Sequence, residues 1–494
     1  MSFENLTSLL LYNREELPLF NSAFFLYFFT AFLFCYQLAR KNERARVWVF
    51  TLFSLYFFYK ACNEYVLLVI LSAVVDFYIS NRIHTEERNT VRKRLLWFSV
   101  AINVGMLCYF KYTNFFIQVI NDVTAGNISP LNLVLPIGIS FYTFENLSYT
   151  VDVYRREIKP VDKFMDYLFF LSFFPKLMMG PIVRAADFIP QIRKPYVLEM
   201  EDVGKGMFLI ISGLFKKVVL SDFINQNFVQ YIFDDPGRYS GIECLFGVYA
   251  YALVIYCDFS GYSDMAIGIA RWLGFRLPAN FDKPYRSSSI TEFWRRWHIS
   301  LSSWLKDYIY IPLGGNRKGT LRQYVNLMLT MLIGGFWHGA SWNFICWGGV
   351  HGGALGIDKL WVQWQKTRGW MRETPLRARL WKAGGVLFTF HLVCFCWIFF
   401  RMEHFSGAWT LLGQITGEFR GHLLPQLLSA YPQVFILMAA GYFLHFLPPV
   451  AEKKLELGLQ RMPVWASVAV MVTFIWFLNE VKTLEPMIPI YLQF

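Results

Sequence analysis

The chain has no Gly-x-Ser-x-Gly elbow and no glycine-rich loop ending in Lys-Ser or Lys-Thr, so neither a serine-hydrolase nucleophile nor a phosphate-transfer loop is supported. It also lacks His-Glu-x-x-His or any other compact ligand spacing, and no metal is expected. Its eight cysteines sit singly in apolar runs, apart from Cys394 and Cys396, and fit neither a zinc site nor a secreted disulfide framework. They read as reduced packing residues. No internal repeat of the inverted-transporter kind is visible, which argues against a secondary transporter. A basic leader is missing too. The first 18 residues carry Glu4, Glu15 and Glu16, so no cleavable signal is expected and the first apolar run, near Leu19 to Leu38, should stay in the membrane.

Charge is scarce. Of 494 residues, 17% are charged against 55% hydrophobic and 19% aromatic, with Phe contributing 50 copies. The mean hydropathy of +0.35 places the chain on the membrane side. A net charge of +12, from 47 Lys and Arg against 35 Asp and Glu, could signal nucleic acid. The basic residues instead cluster between apolar runs, as cytoplasmic loops do, leaving no basic surface for nucleic acid and implying contact with membrane lipids.

Two such clusters, Arg40 to Arg46 and Arg82 to Arg94, should face the cytoplasm and put the N-terminus outside. Between them Val47 to Tyr59 and Tyr65 to Ser80 form a hairpin whose arms fall short of the ~20 residues of a standard span. Leu95 to Phe110 rises to an outer loop, and Leu131 to Tyr154 returns. Phe164 to Arg184 is apolar but broken by Pro175, Gly180 and Pro181, and reads as a bent or re-entrant element. Further spans are expected at Gly206 to Leu220, Cys244 to Tyr256, Tyr324 to Phe336, Trp342 to Leu355, Gly385 to Phe400, Val434 to Leu447 and Val464 to Leu478. Lys366 to Lys382 and Lys453 to Arg461 read as cytoplasmic, and both termini as periplasmic. Glu292 to Arg317 is too charged to span and reads as an interfacial helix. The expectation is an all-α, polytopic membrane protein whose residues 1–494 form a single transmembrane domain.

Against this background four polar segments stand out: Asp258 to Asp264, Phe293 to Ser302, Lys306 to Arg317 and Gly334 to Gly339. Ionisable groups at membrane depth cost about 2.5–3.5 kcal/mol on insertion scales, so their default reading is functional. His338 lies in Trp-His-Gly, flanked by glycines that admit close approach and by Phe336, Trp337 and Trp342, which would wall a dry pocket. Its imidazole can take a proton from a hydroxyl and return one to a leaving group, or it can be a satisfied packing histidine. His298 can orient a substrate or anchor the interfacial helix. On an unbroken helix His351 would point away from His338, so it shares that site only if Gly348 and Gly349 break the helix. His84, His391, His404, His422 and His445 lack supporting context.

Through Leu19 to Ser22, Pro136 to Glu145, Phe173 to Arg184, Asp258 to Gly268, Asn280 to Tyr285 and the two histidine segments, the chain resembles the membrane-bound O-acyltransferases, in particular their bacterial alginate O-acetylation branch. The resemblance covers nearly the whole chain. It implies a multi-helix fold with bent helices around a central tunnel, acyl transfer to a hydroxyl, an essential histidine at His338 and a second at His298. Glu145 and Lys176 depart from it, standing where glutamine is expected, and Cys257 replaces an aromatic.

The function expected on this basis is acetyl transfer from cytoplasmic acetyl-CoA, with no permanently bound cofactor, toward an exported alginate- or cellulose-like polysaccharide. The chain would sit in the bacterial inner membrane, and a periplasmic SGNH-type partner would receive the acetyl group on a serine and pass it to the sugar. Asp258, Arg295, Arg296, Asp307, Arg317, Trp337 and Asn343 are candidate substrate contacts. The basic ones would either draw coenzyme A phosphates or touch lipid headgroups. D-alanyl transfer to a cell-wall polymer, and a non-catalytic exporter or acyl channel, are the alternatives.

Overall fold

The computed structural model of the chain describes residues 10–13, 17–368, 375–481 and 487–492. Glu4, Glu15 and Glu16, and residues 369–374 of the basic segment Lys366 to Lys382, lie outside the described residues. Among the described residues there is no strand, and the fold is all-helical. By length and composition five helical stretches among the described residues can cross a membrane, or up to six if Gly421–Ala430 and Pro432–Phe446, bent by 97°, count as one span. The chain forms two compact units, Met1–Ile210 with Tyr262–Pro278, and Ile211–Gly261 with Ala279–Leu492.

The first unit is built on phenylalanine. Helix α1 (Ala23–Ala39) starts at Ser22, whose hydroxyl accepts the Phe25 N–H at 3.2 Å. Phe25, Phe28, Phe29 and Phe32 then line one buried face at helical spacing. Phe32 meets Phe50 with ring centroids 4.9 Å apart, and Phe50 meets Phe275 at 5.4 Å. The hairpin arms are longer than hydropathy indicates: α2 (Glu43–Cys62) and α3 (Val66–Thr85) have 20 residues each. Helix α2 extends through two cations that find backbone partners. Arg46 donates to the carbonyls of Ile192 at 3.0 Å and Lys194 at 2.7 Å, and Lys60 donates to that of Leu11. Each arm therefore has the ~20 residues of a standard span.

A buried polar chain ties the next helices. Asp76 of α3 accepts from Ser99 and, at 2.7 Å, from Asn103, both on α4 (Asn89–Leu107). Asn103 in turn accepts at 3.2 Å from Asn146 of α5 (Ile139–Arg155). The segment expected to be broken is broken. After α6 (Phe164–Ser172) comes one turn, Phe174–Leu177, and then irregular, buried backbone. Glu145 of α5 accepts the Val183 N–H at 3.2 Å and is ion-paired with Lys176, so the two departures noted in the sequence face each other and neutralise one another. Gly138, at φ +77°, is required here, since a Cβ would lie 2.6 Å from the Leu177 carbonyl oxygen.

Helix α7 (Gly241–Trp272), whose residues as far as Gly261 belong to the second unit, has 78% of its apolar window buried, whereas only 6% of the Val464–Val481 window is. Apolar residues run all round α7, as an enclosed helix requires. The segment expected to form one interfacial helix is instead three pieces: α8 (Ile290–Arg296), α9 (Ile299–Leu305) and a π turn, Lys306–Tyr310. The break falls at His298, whose φ of +42° and ψ of +56° no helix accommodates. Next come α10 (Thr320–His338), α11 (Trp342–Thr367) and α12 (Pro375–Arg401). Helices α10 and α11 pack closely because a Cβ on Gly348 would sit 2.5 Å from the Met331 carbonyl oxygen.

Candidate active site

Helix α10 ends at His338 because Gly339 adopts extended backbone, with φ −163° and ψ +152°, and the chain re-enters helix only at Trp342. The break thus lies at Gly339 to Ser341 and not at Gly348 and Gly349, which stay helical within α11. His338 is left buried at a helix end, walled by aromatic rings. Its ring centroid lies 4.9 Å from Trp337, 5.1 Å from Trp347, 5.3 Å from Phe400 and 5.5 Å from Tyr491.

The break at His298 brings the second histidine inward. His298 is fully buried, edge-on to Phe259 of α7 at 4.7 Å, with Trp337 at 6.3 Å and Tyr491 at 6.2 Å. Trp337 and Tyr491 therefore pack against both histidines, which share one aromatic wall. Burial pushes the His298 imidazole down to about 3, so the ring is neutral at physiological pH. Its Nδ1 lies 3.1 Å from Asn280 Oδ1, and its Nε2 has no hydrogen-bond partner among the described residues.

Of the other expected residues, Asp258 supports the wall from behind. It accepts from Lys217 Nζ at 2.6 Å and from the Ile490 N–H at 2.7 Å, fixing the segment that carries Tyr491. Lys217 also pairs with Asp222 at 2.8 Å, so the buried cation has two carboxylates around it. Trp337 belongs to the wall itself. Asn343 is buried but donates to the Met402 carbonyl at 2.6 Å, a tie at the end of α12. Arg296 pairs with Asp282 at 2.7 Å and Glu292 at 3.0 Å at the surface. Asp307 is half-buried and lies 3.9 Å from Lys306, and Arg317 is exposed. Arg295, on α8 just before His298, lines a polar cleft of about 470 Å³ with Lys359 and Lys366 of α11. His351 accepts from Trp294 Nε1 at 3.3 Å and packs against Trp347 at 4.6 Å, bracing the far side of the same wall.

Asn280 and Tyr491 were not singled out by sequence. Asn280 opens Asn-Phe-Asp-Lys-Pro-Tyr, where an asparagine reads as ordinary turn chemistry. Tyr491 sits in an uncharged stretch with no patterned neighbours.

Residues 132–400 match the family model described as MBOAT, membrane-bound O-acyltransferase family. The chain is 36% identical to a peptidoglycan O-acetyltransferase of Helicobacter pylori over 83% of its length and 82% of that protein. It is 37% identical to a probable alginate O-acetylase, AlgI, of Pseudomonas aeruginosa over 79% of its length and 74% of that protein. It is also 27% identical to a teichoic acid D-alanyltransferase of Bacillus subtilis, over 56% of its length and 71% of that protein.

Proposed function

The chain belongs to the membrane-bound O-acyltransferase family, and from that premise we propose that it passes acetyl from acetyl-CoA, at the cytoplasmic face of the bacterial inner membrane, toward a hydroxyl of an exported polysaccharide. An acyltransferase activity sets aside a purely non-catalytic exporter. The relatives named for O-acetylation share more of the chain than the one named for D-alanyl transfer, which favours acetyl. A periplasmic SGNH-type protein completes the proposal as the relay between this enzyme and the polymer.

The observation carrying this reading is that His298 and His338, 40 positions apart in sequence, converge on one aromatic wall. In the proposed step the acceptor oxygen attacks the thioester carbonyl while His338 takes its proton. The C–S bond then breaks, and the same proton goes to the sulfur as coenzyme A leaves. His298, neutral and lacking a partner at Nε2 among the described residues, offers a lone pair that orients a donor group of the substrate. The surrounding rings exclude water, which would otherwise hydrolyse the thioester. Arg295, Lys359 and Lys366 outnumber Glu292 and Asp358 in the cleft beside α8, and this small excess of positive charge supports a role in drawing coenzyme A phosphates. The expected result in cells is that His338→Ala, at matched membrane level, removes base-labile acetate from the polysaccharide fraction. Acetate counted separately in exopolysaccharide and in peptidoglycan identifies the polymer, and undiminished acetate in both fractions rejects the base assignment.

A further inference from the structure

Asn280 is 1% exposed and faces the back of His298. Its Oδ1 lies 2.9 Å from Ser300 Oγ, 3.3 Å from the Ser300 backbone nitrogen and 3.1 Å from His298 Nδ1. A backbone N–H can only donate, so the amide atom at this point is the oxygen and not the NH2 group. That oxygen cannot donate, so the histidine nitrogen opposite it must carry the proton. Ser300 Oγ is also 3.5 Å from Nδ1, but its single hydrogen is directed to Asn280 at the shorter distance. In a neutral imidazole with the proton on Nδ1, the lone pair is on Nε2. This is the nitrogen that is buried without a partner among the described residues.

Asn280 also holds the backbone. Its main-chain carbonyl accepts the Ile299 N–H at 2.9 Å, directly after the left-handed His298. A non-glycine residue in that region is strained and persists only where its surroundings over-determine it. The strain turns the ring out of the helical path and onto the wall with Trp337 and Tyr491.

We propose that Asn280 is a positioning residue, which locks His298 in the tautomer protonated at Nδ1 and so presents the Nε2 lone pair to the substrate. The proposal rests on the reading of His298 as a site residue, and the test separates the two. In purified protein labelled with 15N-histidine, the His298 resonances are those lost in His298→Gln. They should show a proton on Nδ1 in the wild type, and should shift toward the other tautomer in Asn280→Leu, which has similar volume and no acceptor. Loss of a correct tautomer elsewhere costs up to about 10⁴-fold, so kcat should fall by about a hundredfold or more with KM for acetyl-CoA unchanged. Asn280→Asp keeps the accepting oxygen, and should retain the Nδ1 proton and recover most of kcat even if the leucine variant fails to fold. If His298→Gln is inactive but Asn280→Leu keeps wild-type kcat and wild-type ring signals, the positioning role is wrong and the site stands. Full activity in His298→Gln overturns the site reading, and this role with it.

Discussion

At the residue scale, the site depends on polar groups whose partners were far away in the chain. His298 and His338 were legible because each follows tryptophan in an otherwise apolar setting, where an imidazole must be functional or satisfied. Asn280 was not, because its partners His298 and Ser300 are 18 and 20 residues on, and a turn asparagine looks the same whether it serves its own loop or a distant ring. Glu145 and Lys176 show the converse. Each looked like an isolated departure, and only their pairing at 31 residues' separation shows that the charges compensate. Breaking a buried pair from one side is costly, by about 3–5 kcal/mol, because the remaining charge is left without its counterion. Lys176→Gln alone should therefore lower the thermal unfolding midpoint in detergent markedly, and Glu145→Gln added to it should restore most of the loss. A double variant no more stable than Lys176→Gln would show that the pair does not act as a unit.

At the element scale, hydropathy located the helices but misjudged their ends. Helix α2 runs past the apolar run because Arg46 and Lys60 are satisfied by carbonyls of other segments, which a sequence window counts only as charge. The fragmentation of Glu292 to Arg317 was hidden for a related reason. Its cause is one left-handed residue held by a distant asparagine, whereas the local sequence contains no glycine or proline before Pro312. The junction of α10 and α11 was better signalled, since a glycine follows His338 and further glycines line the contact. That contact sets where His338 sits. Gly348→Ala would place a methyl against the Met331 carbonyl, and overpacking of this kind costs about 1–3 kcal/mol. The expected outcome is a lower unfolding midpoint together with reduced kcat, because the helix end moves with the contact. An alanine variant with unchanged midpoint and rate would show that the helices can separate without disturbing the site.

At the scale of the whole molecule, composition alone gave a polytopic all-helical membrane protein, and the order of its motifs gave the family. The orientation proposed here places Arg82 to Arg94 in the cytoplasm and the termini in the periplasm. A cysteine at Thr90, in a background lacking the eight native cysteines, should resist membrane-impermeant thiol reagents in intact cells and react after permeabilisation. Labelling before permeabilisation would invert the topology and with it the side from which the donor enters. His338, at the end of α10, is proposed to carry the acyl transfer. The most direct test of that role is the release of coenzyme A thiol from acetyl-CoA by purified protein with an acceptor present, comparing wild type with a folded His338→Ala variant at saturating donor. Removal of a general base lowers the rate by about 10²–10⁴-fold. A loss of that size in kcat is expected with donor binding retained, and an undiminished kcat in the alanine variant rejects the general-base role of His338.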